Sequence, residues 1–231
     1  YQHKLMVIDP AGCGGDEVSY AAGGAANSYL HLFSVGGFQG GISTENIDKL
    51  IDLAIELSIS DLFIESNMGH GTVEMLFMNR LRERKIPGIG VRGGYNTAQK
   101  EKRIIDTISP VTRRHRLVVH SRALTDDIQS CMAYSRDKRW LYSAFQQLQS
   151  ITYDRGSLAK DDRADAVAML VAELNGFLVE DEKVSAEKEQ QKQARKFMDN
   201  PMDWKQSMVA PRSRGTQARI DRGLTRRKGR Y

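Results

Sequence analysis

The chain predicts an α/β fold: a mixed β-sheet of three antiparallel strands followed by parallel strands, with helices on both faces. Three observations predict it. Up to about residue 40 the chain reads as a meander of three strands, after which helical and strand patterns alternate. Two of the strand-like runs, Leu5-Met6-Val7-Ile8-Asp9 and Leu62-Phe63-Ile64-Glu65, are apolar without a break and close on an acid. Unbroken apolar runs suit strands buried on both faces, as parallel strands are.

Taken in order, Leu5–Asp9 is the first strand. A glycine-rich turn (Gly12-Cys13-Gly14-Gly15-Asp16) follows it, then the strands Ser19–Ala26 and Tyr29–Val35, joined by a short Asn27-Ser28 turn. Thr44 predicts the N-cap of a helix, because Ile47, Leu50, Ile51, Leu53, Ala54 and Leu57 recur at helical spacing behind it. Leu62–Glu65 is a strand and Thr72–Arg84 a helix. Gly88–Val91 is a strand, Ala98–Ile108 a helix, Leu117–His120 a strand and Leu124–Tyr134 a helix. An irregular stretch leads to a last helix over Asp161–Leu178. The order matches the ribonuclease H-like architecture. We expect residues 1–178 to form this domain. Residues 179–231 should form a basic C-terminal tail, helical near 181–198 and mostly disordered beyond, where Arg, Gly and Ser dominate with Pro201 and Pro211.

A hydrophobic content of 40% and a charged content of 27% predict a soluble globular protein. No apolar run approaches the ~18 residues a membrane span needs. The opening Tyr1-Gln2-His3-Lys4 lacks a signal-peptide pattern. It also stands directly before a strand without a Met, which predicts a piece of a longer chain. Cys13 and Cys131 have neither a CxxC companion nor a His cluster, so a disulfide scaffold or zinc site is not expected. The net charge of +5 is uneven. Residues 179–231 carry 14 Lys/Arg against 8 Asp/Glu, and residues 1–178 carry 20 against 21. The basic balance therefore describes the tail, not the core.

Chemistry points to three acidic stations: Asp9, Glu65, and Asp161-Asp162-Arg163-Ala164-Asp165 ahead of an alanine-rich helix. A carboxylate closing a buried strand is costly unless a cation sits beside it. Three such stations converging on one spot would hold hard divalent cations, the means by which phosphodiesters are cut with two metals ~3.5–4 Å apart. Asp9, on the most central strand, suits the bridging ligand; Glu65 suits one metal, and the Asp161/Asp162/Asp165 group the other. Spacings of i,i+3 and i,i+4 put those three aspartates on one helix face, opposite the apolar stripe Val167, Leu170, Val171 and Leu174. Each station also has a structural use. Acids at a helix start favour its dipole, Asp9-Pro10 opens a turn, and Glu65 can pair with an Arg. It is the combination, in the order this fold requires, that carries the metal reading.

On Val7-Ile8-Asp9-Pro10-Ala11-Gly12, Phe63-Ile64-Glu65-Ser66-Asn67-Met68-Gly69 and Lys160-Asp161-Asp162-Arg163-Ala164-Asp165-Ala166, the chain resembles the C-terminal nuclease domain of the large terminase subunit of tailed bacteriophages. The last string, preceded by Gln146-Gln147-Leu148 and Ile151-Thr152, is the most specific, and the likeness covers roughly residues 1–178. The resemblance implies a metal-dependent endonuclease that cuts double-stranded DNA during phage genome packaging with two Mg2+ or Mn2+ ions. It implies Asp9, Glu65 and Asp162 as catalytic metal ligands, with Asp165 a fourth, as in related Holliday-junction resolvases. It also implies the portal of the procapsid and the small terminase subunit as partners, and the host cytoplasm as the location. No Gly-x-x-x-x-Gly-Lys-Ser/Thr string is present, so the family's ATPase motor is expected to lie outside this chain, and the isolated domain to be a monomer. A junction resolvase and a non-catalytic DNA- or capsid-binding module of the same fold are the rival readings.

Gly88-Ile89-Gly90-Val91-Arg92-Gly93 matches GxGxxG, but no helix is expected to open on its glycines, which argues against dinucleotide binding. Gly69-His70-Gly71 follows the Glu65 strand as a turn that would let DNA backbone approach. Lys100, Lys102 and Arg103 on one helix, and Arg113, Arg114 and Arg116 before a strand, are the core's candidates for holding phosphate backbone. The tail arginines (Arg212, Arg214, Arg219, Arg222, Arg226, Arg227, Arg230) are candidates for gripping DNA or docking on an acidic partner.

Overall fold

Leu5, Met6, Val7 and Ile8 point alternately to opposite faces of a strand, and all four are buried. In the computed structural model, which describes residues 1, 3–10, 17–66, 71–95 and 99–199, both faces of that strand are covered. Strand β1 (His3–Asp9) pairs antiparallel with β2 (Val18–Ala26), and β2 with β3 (Tyr29–Phe38). Three strands then join in parallel. β4 (Asp61–Glu65) lies beside β1, β5 (Gly90–Gly94) beside β4, and β6 (Leu117–Val119) beside β3. The six-stranded order is β5-β4-β1-β2-β3-β6, the mixed sheet the sequence predicts. The glycine-rich turn, His70 and the tail beyond residue 199 lie outside the described residues.

The helices are α1 (Thr44–Glu56), α2 (Thr72–Glu83), α3 (Lys100–Arg113), α4 (Ser121–Cys131), α5 (Arg139–Tyr142), α6 (Ala144–Ser150) and α7 (Asp162–Asp199). On one sheet face Leu5, Val7, Ala21 and Leu32 meet Val167, Leu170, Val171 and Leu174 of α7, the predicted stripe. On the other, Met6, Ile8, Leu62 and Ile64 meet Ile47, Leu50, Ile51 and Ala54 of α1 with Phe77 and Leu81 of α2. Helix α7 sits close because β2 is built of small residues. A Cβ on Gly23, beside the register slip in β2, would stand 2.9 Å from Leu170 Cδ2 and 2.4 Å from the His31 carbonyl oxygen. The β2–β3 hairpin turns through Asn27 and Ser28, whose positive φ angles (51° and 65°) match the twist of the flanking strands.

Several boundaries differ from expectation for local reasons. The N-cap of α1 is Ser43, not Thr44; its hydroxyl accepts from the Asn46 amide at 3.2 Å. Helix α3 runs through Pro110 to Arg113 and ends on His115 at positive φ (53°), with the amides of His115 and Arg116 closing onto the Thr112 and Val111 carbonyls. That closure is a Schellman motif built without glycine. Strand β5 starts after the Gly88 turn and continues to Gly94, since edge pairing with β4 needs backbone rather than side chains. Helix α4 begins at Ser121, three residues earlier than its apolar pattern suggests. The stretch expected to be irregular contains α5 and α6. Helix α7 spans both the predicted last helix and the expected spacer. The chain divides into two compact units, Tyr1–Glu182 and Lys183–Tyr231. Among the described residues no helix is long and apolar enough to cross a membrane.

Candidate metal centre

Parallel pairing of β1 with β4 sets Ile8 opposite Ile64, so the next residues, Asp9 and Glu65, emerge together at the carboxyl ends of neighbouring strands. Binding sites of open α/β sheets form at such ends. The third acid comes from the first turn of α7. Asp165 closes that turn through its amide onto the Asp161 carbonyl at 2.9 Å. Asp9, Glu65 and Asp165 each offer a carboxylate oxygen within 4.8 Å of the others. Their side chains are only 13%, 7% and 1% exposed.

The start of α7 is held from three directions. Ser19, opposite Asp9 in the β1–β2 register, donates its hydroxyl to the Asp162 carbonyl at 3.0 Å. The buried Gln147 side chain accepts from the Ala164 amide at 2.9 Å, satisfying one N–H of the helix start. Arg163, fully buried, donates to both carboxylate oxygens of Glu17 (2.8 and 2.7 Å), to Asp127 Oδ1 (3.0 Å) and to Ser130 Oγ (2.8 Å). Tyr134 donates to Glu17 and Ser143 to Asp127, so both acids are fully engaged. Sequence reasoning missed Glu17 and Asp127, and quoted Gln147 without giving it a role. The one available signal was an arginine lying inside an acidic helix start.

Lys100 and Arg103 sit in the midst of the acids. Lys100 Nζ lies 2.9 Å from Asp162, 3.0 Å from Asp161, 3.6 Å from Asp165 and 3.8 Å from Asp9. Arg103 grips Asp165 through two nitrogens and reaches Glu65 at 3.6 Å. These two cations, expected on a phosphate-binding surface, pair with carboxylates in this structure. Asp162, expected among the ligands, pairs with Lys100 at the rim, and Asp165 takes the inner position. Lys102, Arg113 and Arg114 are exposed, and Arg116 is half-buried.

Burial dominates the electrostatics. It raises the Asp9 carboxyl well above its ordinary range; Lys100 offsets part of this, while Glu65, Asp162 and Asp165 push it further up. Asp165 is pushed up to about 6 by burial, against the pull of Lys100 and Arg103. Burial alone would lower Lys100, but Asp162, Asp9, Asp165 and Asp161 outweigh it and hold the ammonium firmly charged. Buried carboxylates this close repel one another, and a dication relieves that repulsion where a proton or ammonium otherwise must. A set of hard oxygen donors within mutual reach suits Mg2+ or Mn2+.

A β-meander extended by parallel strands, with acids at two adjacent strand ends and a third on the helix packed over them, defines a ribonuclease H-like domain. Residues 8–117 match the family model described as terminase of bacteriophage T7, ribonuclease H-like domain. Over 191 residues the chain is 35% identical to the terminase large subunit of Enterobacteria phage T3, covering 81% of this chain and 32% of that protein. The chain thus spans about a third of the curated relative it matches. Among solved structures, the human cytomegalovirus terminase nuclease domain superposes with a TM-score of 0.50 at 14% identity, covering 74% of this chain and 82% of that one. Its manganese-soaked, inhibitor-bound form superposes with a TM-score of 0.51 over the same shares. By these matches the chain has the ribonuclease H-like fold and is similar to the ribonuclease H-like domain of terminase large subunits.

Proposed function

We propose that this domain is a metal-dependent endonuclease that cuts double-stranded DNA during phage genome packaging. The observation that carries the reading is the convergence of Asp9, Glu65 and Asp165 from two strand ends and a helix start, with carboxylate oxygens within 4.8 Å. In this reading Asp9, Glu65 and Asp165 hold the first of two Mg2+ or Mn2+ ions, and Asp162, at the rim beside Lys100, extends the set toward the second. Bound there, such ions supply an activated water and neutralise charge on the phosphodiester. The protein contributes aim and dryness. Ser19, Gln147 and Arg163 fix the start of α7, so the Asp165 carboxylate is held without a search over rotamers. Arg103 orients Asp165 from behind. Lys100 is the mobile member of the set, since a single-atom donor on a flexible stem can leave carboxylates for a phosphate oxygen.

The T3 relative is a large terminase subunit, which supports double-stranded DNA as substrate. It also supports the portal of the procapsid and the small terminase subunit as partners of the whole protein. The test is Asp9→Asn: plasmid cleavage in Mg2+ or Mn2+ is abolished while the melting temperature holds. A variant that cuts as fast as the parent refutes the site.

A further inference from the structure

Between α4 and α7 lies a basic, aromatic stretch for which the proposed chemistry has no use. Residues 134–160 carry five Lys/Arg (Arg136, Lys138, Arg139, Arg155, Lys160) against two acids (Asp137, Asp154), in a core whose overall balance is slightly negative. Trp140, on α5, is 61% exposed. Tyr134 and Tyr142 stack at 3.5 Å with rings 7° from parallel, and Lys160 Nζ stands 5.9 Å from the Tyr142 ring centre. Arg139 is braced by donating to the Tyr134 carbonyl at 3.0 Å, which steadies the turn that presents Trp140. The last residue of the stretch, Lys160, precedes Asp161, which lies 3.0 Å from Lys100.

An indole left mostly in water offers a large, flat apolar face to a partner. Cations close in sequence to an exposed indole suit a polyanion that carries flat, apolar groups. Nucleic acid is that partner; an acidic protein would use the charge and leave the ring idle. Paired bases inside a duplex expose edges rather than faces, so only an unpaired nucleotide or a terminal base pair can stack on the ring. We propose that Trp140, flanked in sequence by Arg136, Lys138 and Arg139, is a stacking platform for unpaired nucleotides of DNA. Its link to a cut end rests on the nuclease reading; its affinity for single strands does not.

The test uses the full chain carrying Trp204→Phe, which leaves Trp140 as the sole tryptophan. A short oligothymidylate and a duplex of equal length are titrated in EDTA. The single strand quenches Trp140 emission. Trp140→Ala weakens single-strand binding, read by anisotropy, about tenfold or more, since one stacked base contributes that much, and changes duplex binding far less. Arg136→Ala with Lys138→Ala flattens the dependence of single-strand affinity on salt by about 0.7 per lost phosphate contact. Circular dichroism checks that each variant melts like the parent. An unquenched emission, or unchanged single-strand affinity in Trp140→Ala, overturns the platform even if the protein cuts plasmid. Quenching in a protein that never cuts leaves the platform standing and removes the nuclease reading instead.

Discussion

Removing the Lys100 ammonium separates what the carboxylates do for each other from what a metal does for them. In Lys100→Ala, Asp162, Asp161, Asp165 and Asp9 lose a cation that now stands 2.9–3.8 Å away, while Arg103 stays beside Asp165 and Glu65. Breaking a fully buried ion pair costs about 3–5 kcal/mol. Because Lys100 is 30% exposed and Asp9 can take a proton instead, the metal-free loss should be nearer 2 kcal/mol. For a unit of this size that is about 4–8 °C in Tm, and more at pH 8 than at pH 6, where protonation relieves the strain. Manganese binding should move the other way. A unit charge and a dication roughly 4 Å apart repel by about 2 kcal/mol even at the dielectric of water, so the variant should bind Mn2+ about tenfold more tightly or better. Calorimetric titration with Mn2+ and thermal melts in EDTA measure both halves. An unchanged metal-free Tm together with weaker Mn2+ binding would show that Lys100 does not compete for the site.

Four further outcomes follow from the same geometry. Arg163→Met should cost about 3–5 kcal/mol in urea unfolding, because Glu17 and Asp127 are left buried without their cation; a loss under 1 kcal/mol would mean that water reaches them. Gly23→Ala should destabilise by about 1–3 kcal/mol, since its methyl meets the His31 carbonyl and Leu170. Asp165, pushed up to about 6, keeps a proton in the folded state that the unfolded chain has released above its ordinary 3.8. Metal-free stability should therefore fall as pH rises from about 4 to about 6, with a shallower slope in Asp165→Asn; a parent slope that rises would refute the assignment. Mn2+ should invert that slope, because its ligands must give up their protons to bind.

Where burial is dictated by the pattern itself, the fold was legible. Leu5–Ile8 and Leu62–Ile64 are apolar at consecutive positions because both faces are covered, and that placed Asp9 and Glu65 on neighbouring parallel strands before any coordinates. Asn27-Ser28 was legible because few dipeptides accept positive φ twice. Helices α5 and α6 were not, since four and seven residues are too few for a periodic stripe. The end of α3 was hidden by Pro110, which usually marks a stop, and by a His where glycine is the usual signal. Lys100 and Arg103 share a helix face by their spacing. Nothing local says that this face turns toward the carboxylates rather than toward solvent.

The run Asp161–Asp165 shows how a motif can be singled out as a group and still leave its members' roles open. Successive residues of a helix point about 100° apart, so Asp162 and Asp165 lie within about 60° of each other and spacing alone cannot choose between them. The choice is made by Arg163, which points away from both and is drawn into full burial by Glu17 and Asp127. Once that guanidinium is seated, the rotation of α7 about its own axis is fixed. Asp165 then faces inward onto Asp9 and Glu65, and Asp162 is left at the rim with Lys100. An inert-looking arginine thereby sets which aspartate faces Asp9 and Glu65. Glu17 and Asp127, far away in sequence, shape the acidic cluster as surely as the acids that face it.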